Sequence, residues 1–186
     1  VDGDVYIGLG RDNSGLLQDF HRINPSTGET NAVASFPGVA RRNAVAFVSG
    51  DSAYVGTGID ADGNLLEDFY GYHAGNDTWR KSTSLPAAAR ESAVAFTIND
   101  LGYVGTGRGA SGDLADFWRY DPATLIWTQR ASLSNERRDA VSFVLDGKAF
   151  VSGGVEIDGG TFFLNDLLEY NEILNEWNEK LIDGIN

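Results

Sequence analysis

Tyr54-Val55-Gly56-Thr57-Gly58 returns 49 positions later as Tyr103-Val104-Gly105-Thr106-Gly107. Looser copies stand at Tyr6-Ile7-Gly8-Leu9-Gly10 and Phe150-Val151-Ser152-Gly153-Gly154, so the leading aromatics fall 48, 49 and 47 residues apart. Three other markers keep step with this one. The first is Asp19-Phe20, Asp68-Phe69, Asp116-Phe117 and Asp166-Leu167. The second is Trp79, Trp127 and Trp177, with no counterpart in the first copy. The third is Arg41, Arg90 and Arg137, each three residues before Ala44-Val45-Ala46-Phe47, Ala93-Val94-Ala95-Phe96 or Ala140-Val141-Ser142-Phe143. Markers that recur in one order at one period are the sign of a repeat architecture. The repeats run roughly over 1–40, 41–89, 90–136 and 137–180, with a tail at 181–186.

The second copy reads as four short strands. Residues 44–48 are small and β-branched, suited to a tightly packed strand. Ser49-Gly50-Asp51 supplies turn chemistry, and 53–58 follow as a glycine-bearing strand that lets backbones approach. A longer loop covers 59–67. Alternating aromatics over 68–72 make the third strand, Ala74-Gly75-Asn76-Asp77 the next turn, and 78–82 the fourth strand with Trp79. No window has helical periodicity. Four antiparallel strands at this period predict an all-β chain of propeller blades.

The pattern resembles the kelch repeat, a glycine doublet after an apolar strand followed by a spaced aromatic and a tryptophan. The doublet is intact only as Gly153-Gly154; elsewhere it reads Leu9-Gly10, Thr57-Gly58 and Thr106-Gly107. The segment from Asp116-Phe117-Trp118-Arg119-Tyr120 through Asp121-Pro122-Ala123-Thr124 to Trp127 also looks like the kelch-type repeats of secreted Bacteroidetes proteins. The resemblance spans nearly the whole chain and implies a kelch-type β-propeller, secreted or displayed at the cell surface. It says little of function, because propellers carry many.

The ends of the array do not match. The first copy begins at its second strand, and no Arg-x-x-Ala-Val-x-Phe segment follows Trp177. The count is three and three-quarter blades, against the six or seven that the resemblance implies for a ring. A chain opening on Val1 suggests a processed form or an excised piece. A piece of a longer propeller, a small four-bladed ring, and several chains pairing their open edges all fit this count, an unpaired edge being an invitation to association.

Composition narrows the partners. Fourteen Lys+Arg stand against 27 Asp+Glu, a net charge of −13. Such a chain repels phosphate backbones and anionic membranes, so no nucleic acid partner is expected. No apolar run is long enough for membrane insertion. Without cysteine there is neither a disulfide framework nor thiolate chemistry.

Strand alternation puts the one-to-two and three-to-four turns on one face, and the longer two-to-three loops with the four-to-one linkers on the other. Binding groups belong on the longer, more varied side. Its loops hold Arg11, Asp12, Asp60, Asp62, Asn64, Arg108, Glu156 and Asp158, and its linkers hold Arg41, Arg90 and Arg137. From these we select Arg41, Arg90, Arg137, Arg11, Arg108, Asp60, Asp62 and Glu156 as ligand-binding candidates. A ring of arginines can grip carboxylates through two parallel hydrogen bonds. The alternative is structural: each arginine pairs with the aspartate of a neighbouring blade, such as Asp68 or Asp116, and locks blades together.

Asp60-Ala61-Asp62-Gly63-Asn64 has the alternating oxygens of a calcium loop. Gly71 stands where an acid would close it, and Asp12-Asn13-Ser14-Gly15 and Asp158-Gly159-Gly160 do not keep the spacing, so a hairpin turn accounts for the segment and no metal or cofactor is assigned. The three periodic tryptophans read as packing between blades; Trp118 and Tyr70 fit packing or ligand stacking equally. His21 and His73 occupy non-equivalent positions without a nucleophile partner, which argues against a triad.

These features favour a non-catalytic binding or adhesion module for a protein or carbohydrate. A second reading is a homo-oligomer or fibre built through open blade edges. A third is a sugar-modifying enzyme similar to galactose oxidase or sialic acid mutarotase. The oxidase type needs a cysteine that this chain lacks, and the mutarotase type needs a full ring.

Overall fold

Every described strand pairs antiparallel, in the blades that the repeat predicts. The computed structural model describes residues 3–157 and 159–181. Three sheets have four strands each: Val45–Ser49, Ser52–Gly56, Phe69–His73 and Thr78–Lys81; Val94–Ile98, Leu101–Gly105, Phe117–Asp121 and Ile126–Arg130; Val141–Leu145, Lys148–Ser152, Leu167–Asn171 and Glu176–Glu179. The first sheet has three, Val5–Gly8, Phe20–Ile23 and Thr30–Val33, without an inner strand. The chain is thus a row of antiparallel blades, numbered one to four below.

The second strand stops earlier than its apolar run suggests, at Gly56, for a backbone reason. Thr57 and Gly58 both take left-handed conformations, with φ of 58° and 97°. Leu9-Gly10, Thr106-Gly107 and Gly153-Gly154 repeat this pair of positive angles. A Cβ on Gly58 would lie 2.7 Å from the carbonyl oxygen of Arg42, on Gly107 2.6 Å from that of Glu91, and on Gly154 2.7 Å from that of Arg138. In these three doublets the second residue must therefore be glycine, while at Gly10, where a Cβ would meet nothing within 4 Å, only the left-handed φ of 85° favours it. The first meets only the conformational cost of a left-handed side chain, which is how Thr and Leu stand there and why the doublet is degenerate.

Aromatic groups fill the spaces between blades. Trp127 of blade three packs at 5.1 Å from Phe69 and 6.5 Å from Phe47 of blade two, and at 4.8 Å from its own Tyr120. Trp79 does the same against Phe20 and Phe36, and Trp177 against Phe96 and Phe117. Each indole N–H donates to a carbonyl of the preceding linker: Ala34 (2.8 Å), Thr83 (3.0 Å) and Ala131 (2.9 Å). The periodic tryptophans are inter-blade rivets, and buried aromatics with a satisfied N–H suit that role.

The outward faces of blades one and four are uncovered. Val5 and Ile7 are exposed on the first, and Val141, Phe143 and Leu145 on the last. Among the described residues no strand of blade one pairs with a strand of blade four. Among the described residues a single 3-10 turn, Ala74–Asn76, interrupts the strands. No helix among the described residues is long and apolar enough to cross a membrane.

Candidate functional site

The periodic arginines lie inside the blades. Arg41, Arg90 and Arg137 are each 0% exposed. Arg90 donates to both carboxylate oxygens of Asp116 (2.7 and 2.8 Å), to the Thr106 carbonyl (3.1 Å) and, through Nε, to the Ala88 carbonyl (3.0 Å). Arg41 holds Asp68, Thr57 and Val39 in the same way. Arg137 holds Asp166 and Gly153. Each pair joins the linker to the third strand of the same blade, so the expected partner in a neighbouring blade is corrected to one in its own. The neighbour is reached through the backbone: the N–H groups of Gly10, Gly58 and Gly107 donate to the carbonyls of Arg41, Arg90 and Arg137.

Burial of Asp116 raises its carboxyl pKa. The two hydrogen bonds and the charge of Arg90, with the Trp118 indole N–H, outweigh burial and hold it below the usual carboxylate range. Guanidiniums with no exposed surface, bonded to carboxylates and carbonyls of their own blades, offer nothing to a ligand, although the buried Nε of Arg137 has no hydrogen-bond partner among the described residues. In blade one, Asp19 instead takes its contact from His21, 3.0 Å away.

The other candidates do reach the loop face. What the sequence suggests as loops are stiff two-stranded ribbons. Arg11–Asp12 pairs with Gly15–Leu16, Arg108–Gly109 with Gly112–Asp113, and Val155–Ile157 with Thr161–Phe163. In blade two a single bridge, Ile59 to Leu65, closes the equivalent turn. Further bridges, Arg42 to Ile59, Glu91 to Arg108 and Arg138 to Val155, tie ribbons to linkers. A buried Asp113 carboxylate accepts from Arg138 (3.0 Å) and from the Ile157 N–H (2.9 Å), joining the third ribbon to the fourth.

On this frame Arg11, Asp62 and Arg108 are exposed, while Asp60 and Glu156 are half-buried. Arg11 and Asp60 meet in a cavity of about 210 Å³ lined also by Leu16 and Arg42. Asp60 is turned into its own loop. It accepts from the N–H groups of Asp62 (2.9 Å) and Asn64 (2.8 Å) and from the Asn64 side chain (2.9 Å), which together depress its pKa. Asp158 lies outside the described residues. Sequence reasoning missed Arg42, Arg138, Phe162 and Phe163. The doubled Arg41-Arg42 and Arg137-Arg138 carried a signal: neighbours in extended chain point to opposite sides, so one arginine of each pair is buried and the next reaches the ribbons. Phe162 and Phe163 are exposed on the returning strand of the fourth ribbon, paired with Glu156 and Val155. His21 and His73 sit in separate blades, each beside an aspartate.

No curated protein matches the chain. Among solved structures it is similar to one described as "Structure of YjhT", with a TM-score of 0.80 at 19% identity over 99% of this chain and 64% of that one. The chain thus spans less than two thirds of that protein's length, and at this identity the likeness is one of fold. The KLHDC2/KLHL20/DRC7 Kelch-repeats domain matches residues 1–185. With its degenerate glycine doublets, indole rivets and four-stranded blades, the chain belongs to that kelch-repeat family.

Proposed function

We propose that this chain is a non-catalytic binding module that recognises a protein or carbohydrate through its ribbon side, outside the cell or at its surface. The observation that supports it most is the row of bonded ribbons bearing exposed Arg11, Arg108, Phe162 and Phe163, set on blades whose internal arginines are fully buried. Rigid scaffolds with varied loops commonly carry recognition, and exposed aromatics beside arginine have the composition of interface anchors. The extracellular placement rests on the resemblance alone.

The test is a glycan array together with protein capture from conditioned medium, run with the native chain and with Arg11→Ala/Arg108→Ala/Phe162→Ser/Phe163→Ser. A ligand captured by the native chain and lost by the variant is the expected result. Equal capture by both removes the ribbon side from the account. Turnover on a panel of acidic sugars would replace the module with a mutarotase-like enzyme.

A second reading has its own observation. The apolar faces of blades one and four are bare, so self-association through blade edges would assemble the chain into an oligomer. Native mass spectrometry decides it: a 20 kDa species at all concentrations removes this reading, and a ladder of multiples supports it.

A further inference from the structure

Blades two and three leave an open space where blades three and four are filled. Between three and four, the Glu172 carboxylate accepts from the Tyr103 hydroxyl (2.8 Å) and from the Asn99 side chain (2.8 Å). Arg119 stands cross-strand from Tyr103. Asn175, in the turn of blade four, latches the preceding linker by accepting from the Ala131 N–H and the Tyr170 hydroxyl. Between two and three the tyrosines remain, as Tyr54 and Tyr120, and the groups around them change. Gly71 stands cross-strand from Tyr54, in Arg119's place. Pro122 replaces Glu172, Gly50 replaces Asn99, and Leu125 replaces Asn175. Leu125 holds the left-handed conformation of that turn, with φ of 58°, and is exposed.

The result is a cleft of about 420 Å³ lined by Tyr54, Gly71, His73, Arg80, Ser82 and Leu125 among others, none of them acidic. Arg80 is cross-strand from Gly71 and so shares a face with Tyr54. Eight of the 14 basic residues pair with an acid among the described residues, and Arg80 is not one of them. Among the described residues, neither the Arg80 guanidinium nor the Tyr54 hydroxyl makes a hydrogen bond. An unpaired guanidinium in a chain of net charge −13, beside a free phenol, is a receptor for an anion that the fold does not itself supply.

We propose that this cleft binds the carboxylate of a small organic acid, held by Arg80 and Tyr54 where blade four places its own Glu172 against Tyr103. The site lies on the flank between blades, apart from the ribbons, so its failure and that of the ribbon reading are separate results. The test is titration of the native chain with glucuronate, glutarate and sulfate, followed by the amide resonances of Gly71, Ser82 and Leu125. Saturating shifts confined to these residues are expected with the carboxylates, the tighter of the two telling a sugar acid from an aliphatic one. Arg80→Gln should weaken binding about tenfold or more, the range of a lost charge-assisted hydrogen bond. Gly71→Arg, which copies blade three, should abolish it. Because a Cβ at Gly71 would lie 3.1 Å from the Tyr54 ring, the surface change Arg80→Gln decides the matter if Gly71→Arg unfolds. No saturable shift, equal affinity for sulfate, or an unchanged Kd in Arg80→Gln overturns the proposal.

Discussion

The inner strands of blades three and four carry nearly the same residues in opposite surroundings. Val94, Phe96 and Ile98 are 3%, 5% and 5% exposed; Val141, Phe143 and Leu145, at the same positions, are 61%, 43% and 59%. Both strands pair with their second strands in the same register. Blade four covers the first set, and no described blade covers the second, where Phe143 meets only Phe150 of its own blade among the ring contacts. The clamps behave differently: Arg137 in blade four is as fully buried as Arg90 in blade three. The arginine–aspartate pair therefore belongs to the blade and its linker, while the aromatic face belongs to the interface. Two kinds of stabilisation that recur at one period answer to different neighbours.

Changes that cut the clamp should have the largest effect. Arg90→Ala leaves a half-buried Asp116 carboxylate without its partner and removes a fully buried side chain, a loss of about 3 kcal/mol, towards the low end for breaking a buried pair. Urea unfolding reads this, and the same change at Arg137 should cost nearly as much although its blade has a bare side. A much smaller loss at Arg137 would tie the clamp to the interface after all. Trp127→Ala should follow at about 3 kcal/mol, as a large aromatic lost from a packed interface; an unchanged melting temperature would instead leave the indole free to meet a ligand.

The pH dependence is smaller and has a definite sign. Folding lowers the Asp116 pKa, so its contribution is present above the unfolded value of about 3.9 and is lost as pH falls through the folded one. Acid titration of stability should show this loss in the native chain and a shallower slope in Asp116→Asn. Equal slopes would contradict the assignment.

The repeat made the blades legible because the burial that sustains each marker is itself periodic: an indole, a clamp and a backbone contact per blade. The candidate site was harder to see for the same reason. Arg41, Arg90 and Arg137 drew attention by recurring, and recurrence in every blade is what an internal clamp produces. Arg11 and Arg108 emerged at the surface as expected, but the ribbon strands around them are too short for a two-residue alternation to register. The flank cleft is defined by departures, Gly71 for Arg119 and Pro122 for Glu172, and these acquire meaning only once cross-strand partners are known.

The separation of clamp from interface is tested most directly by measuring the unfolding free energies of Phe96→Ala and Phe143→Ala side by side. The account predicts a loss of about 3–5 kcal/mol for Phe96→Ala and less than about 1 kcal/mol for Phe143→Ala, since its ring meets no neighbouring blade. Equal losses would contradict it, and would mean that each blade buries its inner aromatic for itself.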